Sequence, residues 1–285
     1  TRKITKAMEL VSASKMRKAV NSVLMSKPYA RLAWEAVGSI ATKIDTSLHP
    51  LLRQTDHVKT VLVLLLSSDR GLAGGYNWNI IKMAMQKMRQ LGDGMSIQTI
   101  CIGKRGADAM RRAQQPILAS FTEMTNNTKF EDLLPISRMV IEEFSKGTYD
   151  KVLVVYTDFV SAITQKPMVI ELLPQGTPES LKSLGEVGHE QAEKQAKAGE
   201  YLFEPSPTEV LNKILPRLVE TMVYQAVLEA AASEHSARMM AMRNASDSAA
   251  EMLDDLTFTF NQARQAGIRQ EIAEISSGKA ELEKY

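Results

Sequence analysis

The sequence predicts a mixed α/β chain: a long antiparallel coiled coil of N- and C-terminal helices, joined to an α/β domain with a mostly parallel sheet. Three observations predict it. The 50 residues from Arg217 to Ala266 contain no glycine or proline, so they can form one helix of roughly 75 Å. A compact domain of about 150 residues is only about 40 Å across, so such a helix has to project from it. Between the two ends, apolar runs such as Val61–Leu66 and Val152–Val155 alternate with helical periods, the pattern of strands covered on both faces.

The N-terminal stretch Thr1 to about Asp45 is the first predicted helix. Ile4, Met8, Val11, the Lys15 stem, Ala19 and Val23 recur at three- and four-residue steps. Residues 1–31 hold eight basic side chains against Glu9 alone, which suits either a solvated face or a dock for an acidic partner. Pro28 lacks an amide hydrogen and is expected to bend the helix or divide it at Ser26–Lys27.

The middle of the chain reads as strands at Val58–Ser67, Ser96–Gly103, Ile117–Phe121, Lys151–Tyr156 and Lys166–Leu173. Helices are expected at Asn77–Leu91, Lys104–Gln114 and Phe130–Lys146. Gln175 to Gly199 is polar and glycine-punctuated, a loop or linker. The glycine-rich turn Ser67–Asn77 follows the first strand, where backbone amides could cradle a phosphate. Its spacing is G-x-x-G-G, however, and no Gly-Lys-Ser/Thr follows, so a tight structural turn is the better reading.

The long C-terminal helix, about Thr208 to Ser277, presents Leu211, Leu215, Leu218, Met222, Ala226, Ala230, Ser233 and Ala237, then Leu253, Leu256, Phe260 and Ala263. Residues 226–250 include nine alanines and four serines, and such small side chains let two helix axes approach closely. Glu220, Glu229, Glu234, Arg238, Arg243 and Asp247 interrupt any apolar span, so no membrane crossing is expected. Pro216 is expected to kink the foot of this helix, and Gly267 to loosen its upper part by about 1 kcal/mol relative to alanine. The expected organisation is residues 1–57 as the N-terminal coiled-coil helix, 58–174 as the α/β domain, 175–207 as linker and foot segment, and 208–285 as the C-terminal helix.

Composition narrows the function classes. A net charge of +2 gives no support to nucleic-acid binding, and one cysteine excludes an internal disulfide. Cys101 lies in an apolar strand, where a buried inert thiol is expected. The four histidines have no metal-ligand spacing, and no nucleophile elbow or acid/base pair is visible, so neither catalysis nor a cofactor is expected. The start at Thr1, already in helical register, leads to the expectation of a short preceding piece; no targeting signal is visible. A coiled-coil adaptor with an α/β domain fits these facts as an alternative to any more specific role.

Three segments carry a family resemblance. Lys3-Ile4-Thr5-Lys6-Ala7-Met8-Glu9-Leu10-Val11 with Ala13–Arg17, the loop Ser68–Asn77, and Asn261–Ala266 followed by Gln270–Ile275 resemble signatures of the gamma subunit of F-type ATP synthase. They follow the family's order over nearly the whole chain. The resemblance implies a rotor: a coiled-coil shaft inside a ring of three alpha and three beta subunits. A Rossmann-like α/β domain would sit at the foot, beside the epsilon subunit and the c-subunit ring. By matching position it implies contacts with beta subunits from Lys6, Met8, Lys15, Arg238, Arg264, Gln265 and Gln270, and contacts with the c ring and epsilon from Tyr201, Leu202, Phe203 and Glu204. It also implies no chemistry of the subunit's own, and membrane association only through the complex. The lone Cys101 rules out the dithiol insertion of chloroplast forms and suggests a bacterial type at the cytoplasmic face of the plasma membrane, with a processed mitochondrial form at the inner membrane as the alternative.

Overall fold

A computed structural model describes residues 1–41, 49–55, 57–92, 94–126, 128–175 and 206–282. Among them α1 runs Arg2–Ala41, followed by a short 3-10 turn at Pro50–Leu52. Then come β1 (Thr60–Leu66), α2 (Tyr76–Leu91), β2 (Ser96–Ile102), α3 (Lys104–Arg112) and β3 (Ile117–Phe121). The order continues with α4 (Phe130–Ser145), β4 (Lys151–Phe159), β5 (Gln165–Leu173) and α5 (Pro207–Leu282).

The five strands form one sheet in the order β3-β2-β1-β4-β5, parallel except for β5, which runs antiparallel to β4. β1 shows why its apolar run has no polar alternation. Val61, Val63 and Leu65 face α2 and α3, packing with Ile80, Ala84, Met88 and Met110. Leu62, Leu64 and Leu66 face α4 and α5, packing with Val140, Phe144, Leu215 and Val219. Both faces of the strand are therefore buried, as a parallel sheet between helical layers requires. Cys101 lies in the first of these layers, fully buried, and burial raises its thiol pKa to about 11.

α1 lies antiparallel along α5. Ser246 is opposite Thr5, and Ser26 bonds Gln225 about 20 residues further down the pair. α5 is thus sandwiched between the sheet domain and α1, and nearly every residue from Leu218 to Ser236 is buried. A helix enclosed on all sides loses its amphipathic stripe, which is why Glu220, Glu229 and Glu234 are buried there together with alanines.

Three sequence expectations need correction. On α1 the packed line is Thr5, Ser12 and Val23 with half-buried Met8 and Ala19, while Ile4 and Val11 face outward at 66% and 57% exposure. Short side chains win the inner positions because the helices approach closely. Leu253, Leu256, Phe260 and Ala263 are not covered either: beyond Ala250, α5 is exposed along its described length save half-covered Asn261. Finally, α1 continues through Pro28, which therefore does not divide it at Ser26–Lys27, and α5 runs through Pro216 as one helix. The carbonyls freed by these prolines belong to the exposed residues Leu24 and Asn212, where water can take up the lost bond. Gln175 is buried and its backbone amide donates to the Leu51 carbonyl, but residues 176–205 of the expected linker and foot segment lie outside the described residues.

Candidate functional site

The glycine-rich turn between β1 and α2 touches the shaft, while Arg70, Leu72, Gly74 and Gly75 are exposed. Asn77 and Ser68 close it: the Asn77 Oδ1 accepts from the Ser68 amide at 3.1 Å, and the Ser68 hydroxyl bonds the Arg70 carbonyl at 2.6 Å. Leu72 and Gly74 adopt φ of 61° and 55°, so one of these two left-handed positions is taken by glycine. The turn spends much of its polar capacity inside the chain.

From α5, Arg238 reaches into this turn. Its Nη2 donates to the Arg70 carbonyl at 3.3 Å and its Nε to the Gly71 carbonyl at 3.4 Å. The same guanidinium donates through Nη1 to Glu234 at 2.8 Å, one helical turn back, and both side chains are at most a tenth exposed. Burial raises the Glu234 pKa, opposed by Arg238 and by a hydrogen bond from Thr125. His235 is held neutral: burial first, then Arg238 and Lys15, lower its pKa to about 4, against a bond to the Thr125 backbone. A neutral imidazole can sit beside the Arg238 guanidinium without repulsion, and its Nδ1 lies 3.5 Å from Nη1.

α1 joins the same level. The register that sets Thr5 by Ser246 and Ser26 by Gln225 brings Lys15 level with the Glu234–Arg238 turn, and Lys15 Nζ donates to Asn126 at 3.1 Å. Lys15 and Arg238 therefore belong to one collar, where both shaft helices meet two loops of the α/β domain. The other expected contact residues lie elsewhere. Lys6 is exposed and pairs with Glu9 at 2.9 Å, and Met8 is half-buried between the helices. Arg264, Gln265 and Gln270 stand on the exposed upper part of α5, roughly 40 Å or more beyond Arg238 along the helix, with Gln270 bonded to Glu274. Tyr201, Leu202, Phe203 and Glu204 lie outside the described residues.

Arg238 is thus a buried clamp on the turn as well as a shaft residue, and sequence reasoning found the residue but not this role. It did not single out Asp69, Thr125, Glu234 or His235 as site residues. The signal available was an i, i+4 Glu–Arg pair inside an alanine-rich stretch, where charge has to be paired if it is buried. No group of His, Cys, Asp and Glu among the described residues is arranged to hold a metal ion. No described helix is long and apolar enough to cross a membrane.

Comparison with known proteins now bears on this arrangement. The family model described as ATP synthase matches residues 1–282. A protein named ATP synthase gamma chain from Moorella thermoacetica is 42% identical over 278 residues, 98% of this chain and 93% of its own. The chain belongs to the ATP synthase gamma-chain family. A gamma chain from Pelotomaculum thermopropionicum is 41% identical over 283 residues, 99% of this chain and 94% of its own. Among solved structures, the fold is similar to a chain of the Tetrahymena thermophila mitochondrial ATP synthase central stalk and c-ring, at a TM-score of 0.62 and 24% identity. That match covers 85% of this chain and 99% of the other. A chain of the Euglena gracilis mitochondrial ATP synthase rotor gives a TM-score of 0.52 at 17% identity, covering 92% and 99%. As a gamma chain, this protein is a subunit of a membrane-associated ATP synthase, and the collar and projecting helix are features of that subunit.

Proposed function

We propose that this chain is the central-stalk rotor of its ATP synthase, turning inside a head of three alpha and three beta subunits and resting on epsilon and the c ring. The observation that supports it most is the upper part of α5. From Glu251 to Ser277 it is exposed apart from half-covered Asn261, yet it carries Met252, Leu253, Leu256, Phe258, Phe260, Ile268, Ile272 and Ile275, each about half exposed or more. At 100° per residue these do not form one stripe: Leu253, Leu256 and Phe260 lie on one side, Phe258 and Ile272 on the other. A single neighbouring helix would cover one side only, whereas a surrounding sleeve covers both.

In this reading the subunit performs no chemistry. Its asymmetry drives each beta site in turn through different affinities, a coupling between distant sites carried by a rigid body. Lys6, Met8, Lys15 and Arg238 meet beta subunits low on the shaft, Arg264, Gln265 and Gln270 higher up, and Tyr201–Glu204 meets the c ring and epsilon. The excess of basic residues on α1 suits acidic loops on the beta partner. The two relatives described above are bacterial, which supports a place on the cytoplasmic face of the plasma membrane, reached only through the complex.

The test is to mix the chain with purified alpha and beta subunits, then apply gel filtration and an ATPase assay. One complex with a single copy of this chain per three of each partner, turning over ATP well above the alpha–beta mixture, is the expected result. A folded chain that joins no such complex would overturn the proposal and favour a coiled-coil adaptor.

A further inference from the structure

We propose that Asp69 is the positioning residue that locks the shaft to the α/β domain, so that both turn as one body. The inference rests on the rotor reading, and adds to it where torque passes between shaft and foot. Asp69 sits in the turn after β1 and accepts two backbone hydrogens from distant segments. Its Oδ1 takes the Lys104 amide at 3.0 Å, at the positive end of α3, and its Oδ2 takes the Glu123 amide at 2.7 Å. Glu123 has a φ of 65°, a left-handed conformation that a non-glycine residue keeps only when its surroundings hold it.

Two bridges to the shaft leave from this carboxylate. On its C-terminal side, the Arg70 and Gly71 carbonyls receive Arg238 of α5. Through Glu123, it fixes the loop that presents Thr125 and Asn126. Asn126 accepts from Lys15 of α1 at 3.1 Å, and buried Thr125 lies beside Glu234 and His235 of α5. One side chain therefore sets the position of the domain loops that grip both shaft helices at one level. The Ser68 carbonyl of the same turn also reaches α3, accepting the Arg105 amide at 3.0 Å, and α3 is tied to the sheet through Gly106 and Ser67. Replacing the carboxylate by an amide keeps the size but removes the charge and one of the two acceptors. The grip then softens while the sheet, the shaft pairing and the upper α5 surface stay as they are.

The experiment compares the unmodified chain with Asp69→Asn in the complete membrane complex, including the c ring, in sealed vesicles. ATP hydrolysis is followed by phosphate release, and ion uptake by a fluorescent ion indicator. The expected result is hydrolysis near the unmodified rate with ion uptake per ATP reduced about two-fold, since a softened collar leaves the apolar core shared by α5 and the sheet to carry torque into the foot alone. An unchanged ratio of uptake to hydrolysis overturns the proposal. If Asp69→Asn does not assemble, Asn126→Ala decides: it removes the acceptor of Lys15 at the far end of the same bridge, and an unchanged ratio there overturns the proposal equally. Failure of the unmodified chain to support ATP-driven uptake would instead overturn the rotor reading.

Discussion

The Ser246 hydroxyl donates to the Thr5 hydroxyl at 2.7 Å, and Thr5 donates in turn to the Arg2 carbonyl at 3.0 Å. This relay joins α5 to the first turn of α1, and both side chains are buried. Two hydroxyls can meet between helices only where the axes are close, so the contact sets the spacing that the alanines on either side exploit. Ser246→Leu is expected to force the helices apart and lower stability by about 1–3 kcal/mol, the usual cost of overfilling a packed seam. Ser246→Ala should cost only about 1 kcal/mol, for the lost bond. Urea denaturation of the isolated chain checks both, and equal losses would show that spacing is not what Ser246 provides.

Gly103 and Gly267 are both glycines beside helices, with opposite expectations. Gly103 has a φ of 99°, and a Cβ there would lie 2.1 Å from the Ser67 carbonyl oxygen. The backbone cannot yield, because Ser67 also bonds the Gly106 amide and the Ile102 carbonyl. Gly103→Ala is expected to cost about 3 kcal/mol or more. At Gly267, inside α5, nothing lies within 4 Å of an added Cβ. Gly267→Ala should therefore raise local helix stability by about 1 kcal/mol or somewhat less. Thermal melting reads the first, and amide exchange in the upper α5 reads the second.

His235 gives the chain a pH dependence with a definite sign. In the unfolded chain its imidazole takes up a proton near 6.5, while in the fold it stays neutral down to about 4. Between those values the unfolded chain binds the extra proton, so stability falls as the pH is lowered through that window, by about 3 kcal/mol at most. Glu234, whose pKa burial raises, works in the opposite sense, because the fold holds its proton more tightly than the unfolded chain does. Comparing the chain with His235→Asn separates the two. Their difference in denaturation midpoint should shrink or reverse from pH 7.5 to pH 5, and a constant difference would show that His235 does not titrate on unfolding.

The sheet domain was legible because each of its strands is a short apolar run bounded by turn residues. β3 has the expected bounds, and β1 and β2 fall within one or two residues of theirs. β4 extends to Phe159, beyond the expected end at Tyr156, because antiparallel pairing with β5 continues through Asp158 and Phe159, whose alternation weakens the apolar signal. The shaft was legible in outline and not in detail. Periodicity assigned Ile4 and Val11 to the seam, since it scores hydrophobicity and cannot see that close approach favours Thr5 and Ser12. The collar was hidden for a related reason. Asp69, Thr125 and Glu234 are polar residues in a turn, a loop and a helix, and only the fold brings them within reach of one another.

The upper α5 surface allows fold and assembly to be tested separately. Leu256 and Phe260 lie one turn apart and are 61% and 65% exposed, so among the described residues none depends on them for packing. Substituting both by glutamate should leave the urea midpoint of the isolated chain within about 0.5 kcal/mol of the original, as for other surface changes. The same pair placed inside a sleeve of alpha and beta subunits would bury two unpaired charges, which an interface does not tolerate without loss of affinity. The doubly substituted chain is therefore expected to fold normally and to fall out of the alpha–beta complex on gel filtration. Assembly at the original level would mean that this face stays in water, and the reading of α5 as an enclosed shaft would fail with it.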